Sequence, residues 1–198
     1  MKYVIMAAGN GKRWGNYLKK PKHLVKINGE TLLGRTTRLL KENGINDYVI
    51  TGHDKRYSRY GTLIPQTNND CEIDRFEKFD EPVCYLYGDV YYSEDAIKTI
   101  IETETEDILF FGSEDELFAI KVKDLNLFYY NKDLVKDLYL EGKINRCIGW
   151  ELYRSLNGIP FEQHIIADKY VLILDETDDI DYPEDYDKLK KRLENNVI

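Results

Sequence analysis

The chain has 198 residues and a formal net charge of −8, which argues against a broad basic surface for nucleic acid. Its 42% of hydrophobic residues predicts a single domain over residues 1–198 with a hydrophobic core. No stretch is apolar for long enough to predict a membrane span, and the first residues do not form a signal-peptide pattern. Cys71, Cys84 and Cys147 lack C-x-x-C spacing, so we expect reduced thiols and a cytoplasmic location.

The chain begins with an apolar strand, predicted over residues 3–8, that continues into a glycine-rich loop. The loop contains three glycines and two adjacent cations, namely Gly9, Gly11, Gly15, Lys12 and Arg13. Backbone N–H groups exposed in such a turn attract anions, and glycine permits the backbone conformations and close approach that this requires. Because two cations lie inside the turn, we predict a binding site for a highly charged anion, a triphosphate.

The spacing of the loop disfavours two other phosphate-binding motifs. A Walker-type loop needs G-x-x-x-x-G-K-[ST], which the chain lacks here, and a dinucleotide fingerprint needs G-x-G-x-x-G. The three glycines are instead spaced G-x-G-x-x-x-G. A tight surface turn that binds no ligand stays open as an alternative.

Strand and helix patterns alternate along the rest of the chain. Strands are predicted over residues 22–27, near 63, and over 48–51, 83–87, 108–111, 117–122 and 170–174. Helices are predicted over residues 31–43, 72–79, 125–141 and 150–156, from an N-cap at Ser93 to Glu102, and from Pro183 onward. Residues 53–70 are polar and irregular. This alternation predicts an α/β fold with three α/β/α layers around a mostly parallel, mixed sheet.

Acidic residues follow two of the predicted strands. Asp89 comes directly after residues 83–87 and Gly88, and a second acidic segment spans residues 178–185. Ligands of open α/β sheets bind at the carboxyl ends of the strands, so we expect Asp89 and either Asp179 or Asp181 to converge on a cation. Magnesium is the natural choice, since it is usually held by one or two carboxylates together with phosphate oxygens. A helix-capping role for these acids stays open.

A mixed aromatic and basic segment, residues 146–161, is the candidate for binding a second substrate. We predict that Arg154 pairs with a phosphate of the acceptor and that Trp150 shapes the pocket. A core helix with a dimer contact is the alternative. The small domain favours a sugar phosphate or small phospho-alcohol as acceptor over a bulky pterin. His23, His53 and His164 form no catalytic cluster in the sequence.

Three N-terminal motifs together resemble the opening of the nucleotidyltransferases with a GT-A-like, Rossmann-related fold. The motifs are Ala7-Ala8-Gly9-x-Gly11-x-Arg13-x-Gly15, Pro21-Lys22-His23-Leu24 and Asn28-Gly29-x-x-Leu32-Leu33. Residues 87–91 are similar to the central metal-binding strand end of that family, and residues 181–185 to its late D-x-P-E-D segment. The family includes sugar-phosphate and phosphocholine nucleotidyltransferases and molybdenum-cofactor guanylyltransferases.

The resemblance implies a role for each matching residue. Arg13 and Lys22 would contact the triphosphate and stabilise charge at the α-phosphorus, and Asp89 and Asp181 would bind Mg²⁺. The nucleotide would contact Ala7, Ala8, Gly9, Asn10, Gly11, Lys12, Arg13 and Lys22. An acceptor phosphate oxygen would attack the α-phosphorus, with pyrophosphate leaving.

The resemblance is weakest over residues 56–81, where the family reads the base, so the nucleobase is open. We favour CTP. A glycosyltransferase that uses a nucleotide-sugar donor and a non-catalytic nucleotide-binding module are the two alternatives, and a homodimer also stays open.

Overall fold

A seven-stranded mixed sheet forms the centre of the molecule. The computed structural model describes residues 1–66 and 71–195. The strands are β1 (Lys2–Ala7), β2 (Lys26–Ile27), β3 (Glu30–Thr31), β4 (Tyr48–Gly52), β5 (Thr62–Pro65), β6 (Val83–Tyr87), β7 (Val90–Tyr91), β8 (Ile108–Gly112), β9 (Leu117–Val122), β10 (Tyr170–Leu172) and β11 (Asp178–Asp179). The central sheet has the order β10-β8-β9-β6-β1-β4-β5. Strand β9 runs antiparallel to β6 and β8, and the other neighbours are parallel.

Helices cover both faces of the sheet, as the alternating pattern predicted. They are α1 (Leu32–Glu42), α2 (Glu94–Glu102), α3 (Leu125–Leu140), α4 (Gly149–Asn157) and α5 (Pro183–Asn195). Successive residues of β1 point to opposite faces. Tyr3 and Ile5 pack in one core with buried residues of α1 and α2, while Val4 and Met6 pack in another with residues of α3 and α4. The three-layer α/β/α architecture is confirmed.

Some predicted elements differ in type or length from the observed ones. Residues 22–27 were expected to be extended, but Lys22–Leu24 forms a 3-10 turn in which Val25 N donates to Lys22 O. The helix expected over residues 72–79 is a single 3-10 turn, Glu72–Arg75. The last sheet strand ends at Leu172 rather than at residue 174. Residues 67–70 of the stretch predicted to be irregular lie outside the described residues.

A two-stranded antiparallel ladder positions the acidic segment beside Asp89. Asp179 of β11 pairs with Val90 of β7, and the amide of Ile180 donates to the carbonyl of Asp89 at 3.1 Å. Both short strands therefore run past the carboxyl end of β6. In residues 1–66 and 71–195, no helix combines the length and apolar character that crossing a bilayer requires.

Candidate active site

The glycine-rich loop follows β1 at the carboxyl edge of the sheet. Gly11 and Gly15 have φ values of +59° and +60°, which L side chains adopt only at a steric cost. The amides of residues 9–13 donate to no other group in the described parts of the chain. Trp14, 2% exposed, holds the loop in place because its indole N–H donates to Lys20 O at 2.7 Å. The loop is thus a fixed backbone with free N–H donors.

A cleft of about 310 Å³ opens beside this loop, and we call it the cradle. Its walls include Gly9, Asn10, Gly11, Lys12, Arg13 and Lys22. Ala7 and Ala8 are fully buried at the end of β1 and support the cradle from within rather than lining it. The structure therefore brings six of the eight residues that the resemblance assigns to the nucleotide to one cleft.

Four charged side chains meet at one end of the cradle. The Nζ of Lys22 lies 2.5 Å from Oδ2 of Asp89 and 2.8 Å from Oδ1 of Asp181. The guanidinium of Arg13 pairs with the other oxygen of Asp181. Both predicted metal-binding carboxylates and both predicted catalytic cations thus form one cluster, although they come from three distant segments of the chain.

The charges in this cluster stabilise one another. Lys22 is 7% exposed, and burial opposes its ammonium charge. The Asp89 and Asp181 carboxylates outweigh that effect and raise the pKa of Lys22 above its usual range. Burial likewise favours a neutral Asp89, but Lys22 outweighs it and lowers the pKa of Asp89 to about 2. Lys22 and Asp89 are therefore both charged near neutral pH.

Gly88 allows Asp89 to lie at this position. A Cβ at Gly88 would be 2.6 Å from the carbonyl oxygen of Met6, so only glycine lets the end of β6 approach β1 this closely. The Gly88 amide donates to that same carbonyl at 2.9 Å. The φ of Gly88 is not positive, so the constraint at this position is close packing rather than a left-handed backbone.

A second cavity, of about 390 Å³, opens on the other side of the cluster. Arg13, Lys22 and Asp89 are walls of this cavity too, and its far side carries Glu116 and Asp179. We call it the acidic cavity. Burial, with repulsion from neighbouring carboxylates, raises the pKa of Glu116 to about 7 and that of Asp179 to about 8. These two acids are therefore partly protonated near neutral pH, and a cation bound beside them would favour their charged forms.

The two residues predicted to bind the acceptor have different positions. Trp150 is a wall of the acidic cavity, fixed by an N–H donated to Asp115 O at 3.0 Å and by stacking on Tyr170. Arg154 is not a wall of that cavity. It is 4% exposed, and its guanidinium donates to Gln163 O at 2.6 Å and to Glu151 at 3.1 Å. This placement argues against the predicted pairing of Arg154 with an acceptor phosphate, because its donors are used inside the protein.

Comparison with known proteins agrees with this geometry. Residues 3–73 match the MobA-like NTP transferase domain. A 70-residue stretch is 40% identical to the "Bifunctional IPC transferase and DIPP synthase" of Thermococcus kodakarensis. That match covers 35% of this chain and 16% of the relative, so the chain spans only a small part of that protein.

Solved structures match along nearly the whole chain. The CTP:phosphocholine cytidylyltransferase of Streptococcus pneumoniae matches with a TM-score of 0.58 and 20% identity over 97% of this chain and 98% of that one. The inositol-1-phosphate CTP transferase of T. maritima matches with a TM-score of 0.62 and 13% identity over 100% and 97%. The chain has the nucleotidyltransferase fold. The resemblance expected from the N-terminal motifs is therefore confirmed.

A metal ion fits the donor set at the centre of this nucleotidyltransferase fold. A Mycobacterium tuberculosis protein of the same fold was solved in complex with manganese, with a TM-score of 0.56 and 14% identity over 96% of this chain and 97% of that one. Asp89 and Asp181 converge on one ammonium group here, and carboxylate oxygens are what hard divalent cations prefer. In the described residues, no three His, Cys, Asp or Glu side chains already form a metal cage. The two carboxylates therefore suit a divalent ion that also coordinates oxygens of a bound ligand.

Two residues near the charged cluster were missed in the sequence. Arg75 is a wall of both the cradle and the acidic cavity, and Glu116 is a wall of the second. Arg75 lies in residues 56–81, where the resemblance is weakest, and its 3-10 turn has no periodic pattern. Glu116 sits in a run of acids before β9 that is typical of a solvent-exposed turn. No motif distinguishes either residue.

His23 and His53 both line a further cleft beside the glycine-rich loop, and His164 is not among its walls. His23 is buried, and its Nδ1 lies 2.9 Å from the hydroxyl of Tyr57. Burial lowers the pKa of His23 to about 4, so it is neutral at physiological pH. His53 is exposed, and His164 packs against Trp150 with its Nε2 2.6 Å from Glu114 O.

Proposed function

We propose that the chain transfers a nucleotidyl group from a nucleoside triphosphate to a phosphorylated small molecule, with release of pyrophosphate. One observation carries the proposal: the cluster of Arg13, Lys22, Asp89 and Asp181 lies between a cradle of free amides and a second cavity. The cradle suits a triphosphate, and the acidic cavity would take the phosphorylated acceptor once a divalent cation is bound beside its carboxylates. The cluster then lies where the two substrates meet.

The residues of the cluster suit phosphate attack on phosphate. A phosphate monoester is largely ionised near neutral pH, so the attacking oxygen needs no strong general base. This agrees with a site that has no histidine in its cluster. The reaction brings two anions together and therefore depends on positioning and on compensating positive charge. Arg13 and Lys22 would supply that charge, orient the triphosphate and stabilise the transition state.

Asp89 and Asp181 would hold the divalent ion, which we propose to be Mg²⁺. When bound, the ion supplies positive charge that neutralises phosphate oxygens and lowers the repulsion between the substrates. Lys22 would then share the two carboxylates with the metal. Burial raises the pKa of Asp179 to about 8, and a divalent ion held beside this residue would favour its charged form.

CTP is the nucleotide that we propose, since two of the solved structures with this fold are CTP-dependent by name. The acceptor class that we propose is a sugar phosphate or small phospho-alcohol, with Trp150 as a wall of its pocket. The proposed location is the cytoplasm. Three cysteines that are all free thiols support it, because such thiols are typical of reducing compartments.

A thermal-shift panel with CTP, UTP, GTP and ATP, each with Mg²⁺, tests the nucleotide. A ligand that binds only the folded state raises the Tm, by an amount that corresponds to about 2.7 kcal/mol at a hundredfold excess over its Kd. We expect the largest shift with CTP and a smaller shift for the same ligand with Lys22→Ala. If none of the four nucleotides shifts the wild-type Tm, the proposal is wrong.

Product analysis then tests the reaction. Wild-type protein, the selected nucleotide and a panel of sugar phosphates and phospho-alcohols should release pyrophosphate with at least one acceptor. A glycosyltransferase would instead release a nucleoside diphosphate from a nucleotide-sugar. A non-catalytic module would shift the Tm but release neither product.

A further inference from the structure

Arg75 lies at the junction of the cradle and the acidic cavity. It ends the 3-10 turn Glu72–Arg75 and is a wall of both cavities. On the cradle side it lies against the glycine-rich loop, since a Cβ built on Gly9 would be 3.4 Å from its Nη1. On the other side it shares the wall with Asp89. Arg75 is thus one of four residues that line both cavities, together with Arg13, Lys22 and Asp181.

The guanidinium of Arg75 has donors without protein acceptors. Its Nε is buried and has no hydrogen-bond partner among the residues that the structure describes. No carboxylate in residues 1–66 and 71–195 forms an ion pair with it. The nearby Glu72 instead accepts from the Tyr87 hydroxyl at 2.8 Å and from the Gly149 amide at 2.9 Å. A buried donor left unsatisfied is costly, and an oxyanion ligand would remove that cost.

The position of Arg75 is fixed by its neighbours. Phe76, next in the chain, is fully buried and packs edge-on against the rings of Tyr85 and Phe128. On the other side, Asp74 is paired with Lys136 at 2.6 Å. The carbonyl of Arg75 also accepts from the Gln66 side chain at 3.3 Å. The backbone is therefore held, and the guanidinium reaches the cavities from a rigid base.

The other cations of the acidic cavity are already paired. Arg13 and Lys22 hold Asp181 and Asp89, and Arg146 pairs with Glu151 at 3.1 Å. Carboxylates crowd the same cavity and would repel an incoming phosphate. Arginine presents a planar fork of donors that matches phosphate in a bidentate geometry. Arg75 is thus suited to attract a phosphate to this point.

We propose that Arg75 binds a phosphate oxygen of the reacting ligands at this junction, as a third cation beside Arg13 and Lys22. This inference rests on the proposed function, because the two cavities are taken as sites for phosphorylated ligands. The phosphate belongs either to the nucleotide or to the acceptor. Both have the same chemistry, and the experiment separates them.

The test uses calorimetric binding to the full chain with Arg75→Gln, Arg75→Lys and a matched control, Arg59→Gln. Arg59 is exposed and is not a wall of either cavity. Circular dichroism first checks that each variant is folded. The probes are CTP with Mg²⁺, and inorganic phosphate added to the protein already saturated with CTP.

We expect Arg75→Gln to weaken one probe by about 10- to 100-fold, the range for hydrogen bonds to charged groups, with Arg75→Lys in between and Arg59→Gln unchanged. Weaker CTP binding assigns the phosphate to the nucleotide. Weaker inorganic phosphate binding alone assigns it to the acceptor. Unchanged binding of both probes would overturn the inference. A wild-type protein that binds CTP but releases no pyrophosphate with any acceptor would instead contradict the proposed function and leave the role of Arg75 standing.

Discussion

The Nζ of Lys22 lies 2.8 Å from Oδ1 of Asp181, although 159 residues separate them in the chain. Lys22 lies in a 3-10 turn near the N-terminus, and Asp181 lies between β11 and α5. The contact exists because β11 pairs with β7 directly after Asp89, so that all three side chains converge. The central cluster is therefore a product of the tertiary fold, and changes to each member test different parts of the proposal.

Lys22→Ala should lower turnover by about 10²- to 10³-fold, because loss of an oriented charge-stabilising group costs a few kcal/mol of barrier. We expect the variant to keep its fold, since the carboxylates that lose their cation still line open cavities and can bind a metal or water. Pyrophosphate release and circular dichroism measure the two effects. Lys19→Ala is the matched control, as Lys19 is exposed outside the cradle walls. Normal steady-state turnover in Lys22→Ala would rule out the proposed role.

Asp89→Asn and Asp181→Asn should each weaken binding of the divalent ion. Removing a residue that only hydrogen-bonds to a metal ligand typically lowers metal affinity by roughly 10- to 100-fold. Removing a ligand itself should lower the affinity at least as much. Titration with Mn²⁺, followed by electron paramagnetic resonance, measures binding without relying on activity. A chelator should abolish pyrophosphate release by the wild-type protein.

Asp178→Asn is the control for this pair, because the Asp178 carboxylate pairs with Arg192 at 3.2 Å. It should bind Mn²⁺ as the wild-type protein does. Wild-type affinity in both Asp89→Asn and Asp181→Asn would remove these two residues from the metal site.

Gly88→Ala should lower the stability of the protein, whereas Gly9→Ala should lower its affinity for the nucleotide. A methyl group at Gly88 would lie 2.6 Å from a backbone oxygen of β1, and overpacking of this kind typically costs about 1–3 kcal/mol. At Gly9 the nearest atom is 3.4 Å away, at the end of the Arg75 side chain. Gly9→Ala should therefore keep its free energy of unfolding but bind the nucleotide more weakly.

Urea denaturation and the nucleotide-dependent Tm shift measure these two quantities for both variants. The distinction would fail if Gly88→Ala were as stable as the wild-type protein, or if Gly9→Ala bound the nucleotide normally.

Local sequence patterns predicted the elements but not all of the contacts. The N-cap at Ser93 was readable because its hydroxyl accepts from the Ala96 amide, three residues away. The position of Asp89 was also predictable, since a buried strand followed by a glycine indicates its carboxyl end. These features depend on neighbours in the chain. They could be found without knowledge of the tertiary structure.

The contacts that were missed depend on distant segments. Strands of two residues, such as β7 and β11, are too short to show the alternation of apolar and polar residues that predicts a strand. The choice between Asp179 and Asp181 therefore stayed open in the sequence. Arg154 looked available in a basic, aromatic segment, but the carbonyl of Gln163 and the carboxylate of Glu151 bind its guanidinium. Arg75 was missed because its 3-10 turn is irregular. In each case, tertiary packing decides which charge faces a cavity.

The buried His23 should make the protein less stable in mild acid. Its folded-state pKa of about 4 lies below the value of 6.5 for an unperturbed histidine. Between pH 6.5 and 4, the unfolded chain therefore binds a proton that the folded protein does not. The free energy of unfolding should fall as the pH falls through this window, by on the order of 2 kcal/mol between pH 7.5 and 5.

Urea denaturation at several pH values measures this slope in the wild-type protein, His23→Asn and His53→Asn. His23→Asn cannot titrate at this position, so its stability should fall less steeply with acid, whatever packing it loses at pH 7.5. His53 is exposed, and His53→Asn should keep the wild-type slope. Carboxylates titrate alike in all three proteins, so the difference between slopes isolates the buried imidazole. Equal slopes in His23→Asn and the wild-type protein would show that His23 takes up its proton as readily in the folded state as in the unfolded one.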